Sequence, residues 1–134
     1  MAGLLTHCII ALVGGVIFGF IFKNWKYGTA FALGHFIPDL LDFGIAGIKQ
    51  GSLDPAVIMT APWFRPLAVF GHTFWHWIIF GLIIFVLMLW LYKSDKISKK
   101  AFKTSCIALI FFLIGVAIHV LIIDVLIIET SPWI

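Results

Sequence analysis

The sequence predicts an all-α, polytopic membrane protein whose four transmembrane helices form one compact bundle. Three observations carry this. Hydrophobic residues fill 63% of the 134 positions and charged residues 11%, against roughly half and a quarter in soluble domains, and mean hydropathy is +1.15. The apolar residues gather in four segments, each near or above the ~20 residues of helix that cross a bilayer. All nine Lys and Arg stand between or at the edges of those segments. A soluble domain this small has too much surface to hide so much apolar matter, which excludes a cytosolic globular enzyme and a disordered tail. The net charge of +3 is spread over loops, as in membrane proteins, so nucleic acid is excluded and membrane lipid is the expected partner.

The first span runs over about 4–22. No Lys or Arg precedes it and no small-x-small site clearly ends it, so it reads as a retained helix and not a cleaved signal. The second, about 28–48, carries His35, Pro38, Asp39 and Asp42. An outer loop over about 49–66 follows. Its Asp54-Pro55 and Ala61-Pro62 pairs favour turns, and Ala56 to Met59 suit a short interfacial turn of helix. Spans three and four cover about 67–92 and 106–128. Their β-branched runs lack the alternation of barrel strands.

Orientation follows from the basic residues. Lys23 and Lys26 follow span one, and Lys93, Lys96, Lys99, Lys100 and Lys103 separate spans three and four; the other side has only Lys49 and Arg65. The positive-inside rule puts both short loops in the cytoplasm and both termini outside, in a cytoplasmic (inner) membrane. Trp25, Tyr27, Trp90 and Tyr92 would belt the inner interface, and Trp63, Phe64 and Trp133 the outer one. Cys8 and Cys106 fall near opposite faces, too far apart for a disulfide, and are expected to be small buried apolar groups.

The placement of polar residues is the most informative feature. All five His lie inside spans, together with Asp39, Asp42 and Asp124. An Asp at mid-span costs about 2.5–3.5 kcal/mol on the insertion scale, and no Lys or Arg inside the bundle offsets it. Protonation, pairing with His or a bound cation remain. At ~1.5 Å of rise per residue, His7 and Asp124 lie roughly 5–6 Å below the outer surface, Asp42 and His72 roughly 8–9 Å, and Asp39, His76 and His119 roughly 14 Å. Residues from all four spans thus converge on one leaflet. His7, Ala11, Gly15 and Gly19 recur every fourth residue, a small-residue stripe that marks a packing face; Ala108, Gly115 and His119 repeat the pattern in span four. His35, Asp39 and Asp42 share about 60° of one helical face. His72 and His76 are i,i+4 partners, the spacing at which two imidazoles chelate one ion. Each half has a His near the outer start of its first span and a His/Asp pair near the outer end of its second, a weak internal echo.

Imidazole plus carboxylate suits a divalent transition metal, zinc first, with manganese or iron as alternatives. The candidate ligands are His7, Asp39, Asp42, His72, His119 and Asp124, enough for one or two ions, with His35 nearby. An open coordination position would acidify water toward a pKa of ~7, leaving a spare group, Asp42 or His76, as general base. Arg65 lies on the same side, suited to anchoring at the interface or to holding a phosphate at the mouth of the site.

Thr6-His7, the run Gly34-His35-Phe36-Ile37-Pro38-Asp39-Leu40-Leu41-Asp42, Gly71-His72-Thr73, and His119 with Asp124 together resemble the YdjM-like family of predicted membrane-bound, metal-dependent hydrolases. The resemblance covers most of the chain in the same order. It implies that His7, Asp39, Asp42 and His72 are functional, joined by His119 and Asp124. The family usually spaces the last His and Asp by four; here they are five apart, about 140° on a regular helix, so both face one ion only through a π-bulge or an ion lying between helices. The expected function is a metal-dependent hydrolase working in the outer leaflet on a lipid or other phosphoester. A non-catalytic, metal-stabilised membrane scaffold and an ion or proton transporter are the alternatives.

Overall fold

The computed structural model describes residues 4–52 and 54–124. The end of the expected fourth span, 125–128, and Trp133 of the expected outer belt lie outside the described residues. All regular elements among them are helical. Three stretches, Trp25–Gln50, Phe74–Lys93 and Lys99–Ile123, are long and apolar enough to cross a membrane, and Thr6–Ile21 is a shorter apolar helix.

Helix α1 (Leu4–Ile21) buries His7, Ala11, Gly15 and Gly19 along one stripe and leaves Leu12 and Phe20 two-thirds exposed. Cys8, one residue off that stripe, points away from the bundle and is exposed; Cys106 is half-buried, and both are free. After a tight turn, Asn24 caps α2 (Trp25–Asp39) by accepting a hydrogen bond from the Lys26 amide. Helix α2 then passes without a break into a π-helical turn over Leu40–Gly44 and on into α3 (Ile45–Gln50), which ends at a left-handed Gly51. Asp54 caps the short α4 (Pro55–Met59), with Pro55 at its first position, where a missing amide costs nothing.

The third apolar segment departs from a single helix over 67–92. It divides into α5 (Phe64–His72) and α6 (Phe74–Lys93) at an extended Thr73. Side chains make the break tenable by covering the carbonyls of the last turn of α5. The Thr73 hydroxyl donates to Val69 at 2.5 Å, His76 Nδ1 to Phe70 at 3.0 Å and Trp77 Nε1 to Gly71 at 2.6 Å. In an apolar setting each uncovered carbonyl would be costly. Ser98 caps α7 (Lys99–Ala117), which runs into a second π-helical turn over Ile118–Ile123.

Helix α2 is the central element and packs on α1 and α7. Glycines set both crossings. A Cβ on Gly28 would stand 2.1 Å from the Gly15 carbonyl oxygen, and one on Gly34 would stand 2.0 Å from that of Phe112, so the backbones touch where small residues meet. Helix α6 leans on α7 around Trp77, Val116 and Val120. A separate apolar cluster of Ala46, Ile58, Ala61, Phe64 and Ala68 ties α3, α4 and α5 together. These contacts bring the end of α2, the end of α5, the start of α1 and the end of α7 to one place.

Candidate metal centre

That place collects most of the polar residues of the bundle. His7, His35, Asp39, Asp42, His119 and Asp124 are each at most 8% exposed, and the His72 side chain is 10% exposed.

The two π turns decide which way the acids face. On a regular helix His119 and Asp124 would diverge by about 140°. The wider turn over Ile118–Ile123 brings them back to one side, with His119 Nε2 3.5 Å from Asp124 Oδ2. The first π turn starts immediately after Asp39 and contains Asp42. Both long helices that supply acids thus end in the same device, each beside a His or Asp of the cluster.

Around the two Nε2 atoms of His72 and His119, 3.3 Å apart, the acids close two triangles. Asp124 Oδ2 lies 3.4 Å from His72 Nε2 and 3.5 Å from His119 Nε2. Asp39 Oδ1 lies 3.7 Å from the first and 3.5 Å from the second. Ligands held ~2.0–2.1 Å from a tetrahedral ion stand about 3.3–3.4 Å from one another. These donor atoms therefore sit near ligand-to-ligand spacing; Asp39, His72 and His119 form a buried group that could bind a metal ion, and Asp124 lies beside both imidazoles.

His72 is oriented from behind. Its Nδ1 donates to the Ala68 carbonyl at 3.1 Å, since a carbonyl can only accept, and the same nitrogen lies 3.5 Å from Asp42 Oδ2. This fixes the tautomer and leaves the Nε2 lone pair facing His119 and the acids. Asp42 accepts the Phe43 amide through its other oxygen at 2.6 Å. Its position is that of a group which aims a ligand, the outer-shell arrangement common around metal-bound imidazoles.

Several buried polar atoms have no hydrogen-bond partner: His7 Nδ1, both ring nitrogens of His35, His119 Nδ1 and Asp124 Oδ2. Each such atom costs roughly 1–3 kcal/mol. That they gather in one cluster of His and Asp side chains fits bound ions that would satisfy them. His7 reaches the cluster through Nε2, 3.8 Å from Asp124 Oδ1. A second group, His7, His35 and His119, also offers three nitrogens within 4.8 Å of one another.

The remaining expected site residues stand elsewhere. His76 does not pair with His72, because the break at Thr73 removes the helical register that the i,i+4 pairing needs. Its ring stacks on Phe70 at 4.7 Å and its Nδ1 covers the Phe70 carbonyl, so it seals the break instead of serving as a base in the cluster. Arg65 is exposed in the first turn of α5, about 10 Å along the helix axis from His72. Sequence reasoning did not find the Ala68 carbonyl or Trp77. The signal available for the break was the run Gly71-His72-Thr73 followed by Trp77, a small residue and polar side chains where carbonyls need covering.

The chain matches no protein-family model, no curated protein and no solved structure.

Proposed function

We propose that the protein is a membrane-embedded, metal-dependent hydrolase with four spans and its centre in the outer leaflet. The observation that carries this is the pair of Nε2 atoms, flanked by two carboxylates at ligand spacing, buried in an apolar bundle without a Lys or Arg among them. In this reading His72, His119, Asp39 and Asp124 hold the ion, Asp42 keeps His72 in its ligating tautomer, and zinc fits the spacing and ligand types best, with manganese or iron next. A bound ion would supply Lewis acidity and an acidified water for attack on a phosphoryl or carbonyl group.

The substrate in this proposal is lipid-like. A groove of about 540 Å³ runs between the end of α2 and helices α5 and α6, lined by Ile37, Leu40, Leu41, Phe70 and Phe80 among others. Leu40 and Leu41 lie between the two acids of the motif, and Phe70 lies two residues before His72. An acyl chain in the groove would bring an ester or phosphoester toward Asp39 and His72, the most open of the clustered side chains at 10% each. The basic loops favour both termini outside a cytoplasmic membrane. A relay through the bundle finds little support, since the inner halves of the helices carry almost no polar groups.

Elemental analysis of the detergent-purified protein beside Asp39→Ala and His72→Ala tests the reading, together with hydrolysis of a lipid and phosphoester panel. Stoichiometric transition metal in the parent protein only, with metal-dependent hydrolysis, is the expected result. Metal without turnover of any phosphoester would favour a metal-stabilised scaffold, and a metal-free, fully helical protein would overturn both.

A further inference from the structure

We propose that His35, with His7 and the Nδ1 side of His119, forms a second ion position built from imidazole alone, separate from the carboxylate-bearing one and selective for zinc over manganese. The proposal rests on the reading of Asp39, His72, His119 and Asp124 as a metal centre.

His35 is the least explained residue in the bundle. It is fully buried, and neither of its ring nitrogens has a hydrogen-bond partner. A residue that only filled space here would be better served by Leu or Phe, because buried polar groups are normally paired. The two other rings complete the pattern. His7 Nδ1 and His119 Nδ1 are buried and unpartnered as well, and the ring centroids lie 4.3 Å apart for His7 and His119, 5.1 Å for His35 and His119, and 5.5 Å for His7 and His35. One nitrogen from each ring falls within 4.8 Å of the others.

Three different helices hold these rings, and the crossings that bring them together are the tight ones. A Cβ on Gly115 would lie 2.2 Å from the Phe31 carbonyl oxygen and 2.8 Å from the His35 amide, so α7 presses directly on the turn that carries His35. His7 continues the buried stripe of α1 that packs on α2. The donor set then determines selectivity. Three imidazoles without a carboxylate suit zinc or a softer ion, whereas manganese prefers carboxylate, carbonyl and water oxygens. His119 presents Nε2 to the acids and keeps Nδ1 for this second position. Filling both positions through that ring requires it as imidazolate, its proton leaving to the buffer.

The full-length protein in detergent, stripped with a chelator and titrated separately with Zn²⁺ and Mn²⁺, provides the test, with bound ions counted by elemental analysis after desalting. The wild type should take up two zinc ions but one manganese. His35→Phe and His35→Gln should take up one of each at unchanged helix content. A wild type that saturates at one zinc overturns the second position without recourse to a variant, and so does a folded His35 variant that still binds two. Those outcomes leave the carboxylate centre standing; a wild type that binds neither ion overturns both.

Discussion

His119 and Asp124 are five residues apart, yet His119 Nε2 stands 3.5 Å from Asp124 Oδ2 because the intervening turn is π-helical. The extra residue sits in a turn whose Leu121 and Ile122 are 47% and 44% exposed, on the outside of the bundle. Deleting Ile122 should collapse the turn to an α-turn, with His119 and the acid then four positions apart and still on one face. We expect that variant to retain its metal. Inserting one alanine after Leu121 rotates the acid by about 100° and should lower metal affinity tenfold or more. Equal metal binding by the two variants would contradict the role given to the π turn.

Asp42 faces Nδ1 of His72, whereas Asp39 faces Nε2. The two acids of one motif should therefore differ in kind. Asp39→Asn removes a proposed ligand and should abolish stoichiometric metal. Asp42→Asn leaves the donor set intact and loosens only the ring's aim, a change that typically costs about 10–100-fold in affinity. Isothermal titration of the stripped variants would separate them. Identical losses would place Asp42 among the ligands.

The helical class and the burial of His7, His35, Asp39, Asp42, His119 and Asp124 were legible in the sequence because both follow from composition and from where charge is tolerated in oil. The stripe His7, Ala11, Gly15 and Gly19 gave the buried face of α1 directly, since an unbroken helix keeps its period. What was not legible was departure from that period. The π turns after Asp39 and Ala117 and the break at Thr73 depend on contacts between distant segments and on side chains that cover particular carbonyls. That is why the spacing of His72 and His76 read as a chelating pair, while the spacing of His119 and Asp124 made a shared face conditional on a bulge or an ion between helices.

His76 supplies the sharpest contrast with its neighbour. It covers the Phe70 carbonyl and stacks on the Phe70 ring, and it is in neither group of clustered donor atoms. His76→Ala should leave bound metal unchanged and lower stability by about 0.5–1.5 kcal/mol, the net contribution of one hydrogen bond, read as a shift in thermal unfolding in detergent. His72→Ala should lose the metal. Metal loss in His76→Ala at intact helix content would restore this residue to the site.

Gly115 tests whether the centre depends on how closely α2 and α7 approach. A methyl group there would meet backbone atoms, at 2.2 Å from the Phe31 carbonyl oxygen and 2.8 Å from the His35 amide, and backbone cannot swing aside as a side chain can. Gly115→Ala must therefore push the helices apart. Overpacking of this kind costs about 1–3 kcal/mol. The displacement also moves His119, one turn further on in the π turn that continues α7, away from Asp39 on α2, and donor atoms spaced for ~2 Å bonds do not tolerate a shift approaching 1 Å. Metal affinity should fall more than stability does. Gly51→Asn supplies the control: its backbone is left-handed at φ 64° with nothing within 4 Å of a Cβ, and Asn accepts that conformation, so its metal content should match the wild type. If Gly115→Ala binds metal as tightly as Gly51→Asn, the helix crossing does not set the geometry of the centre.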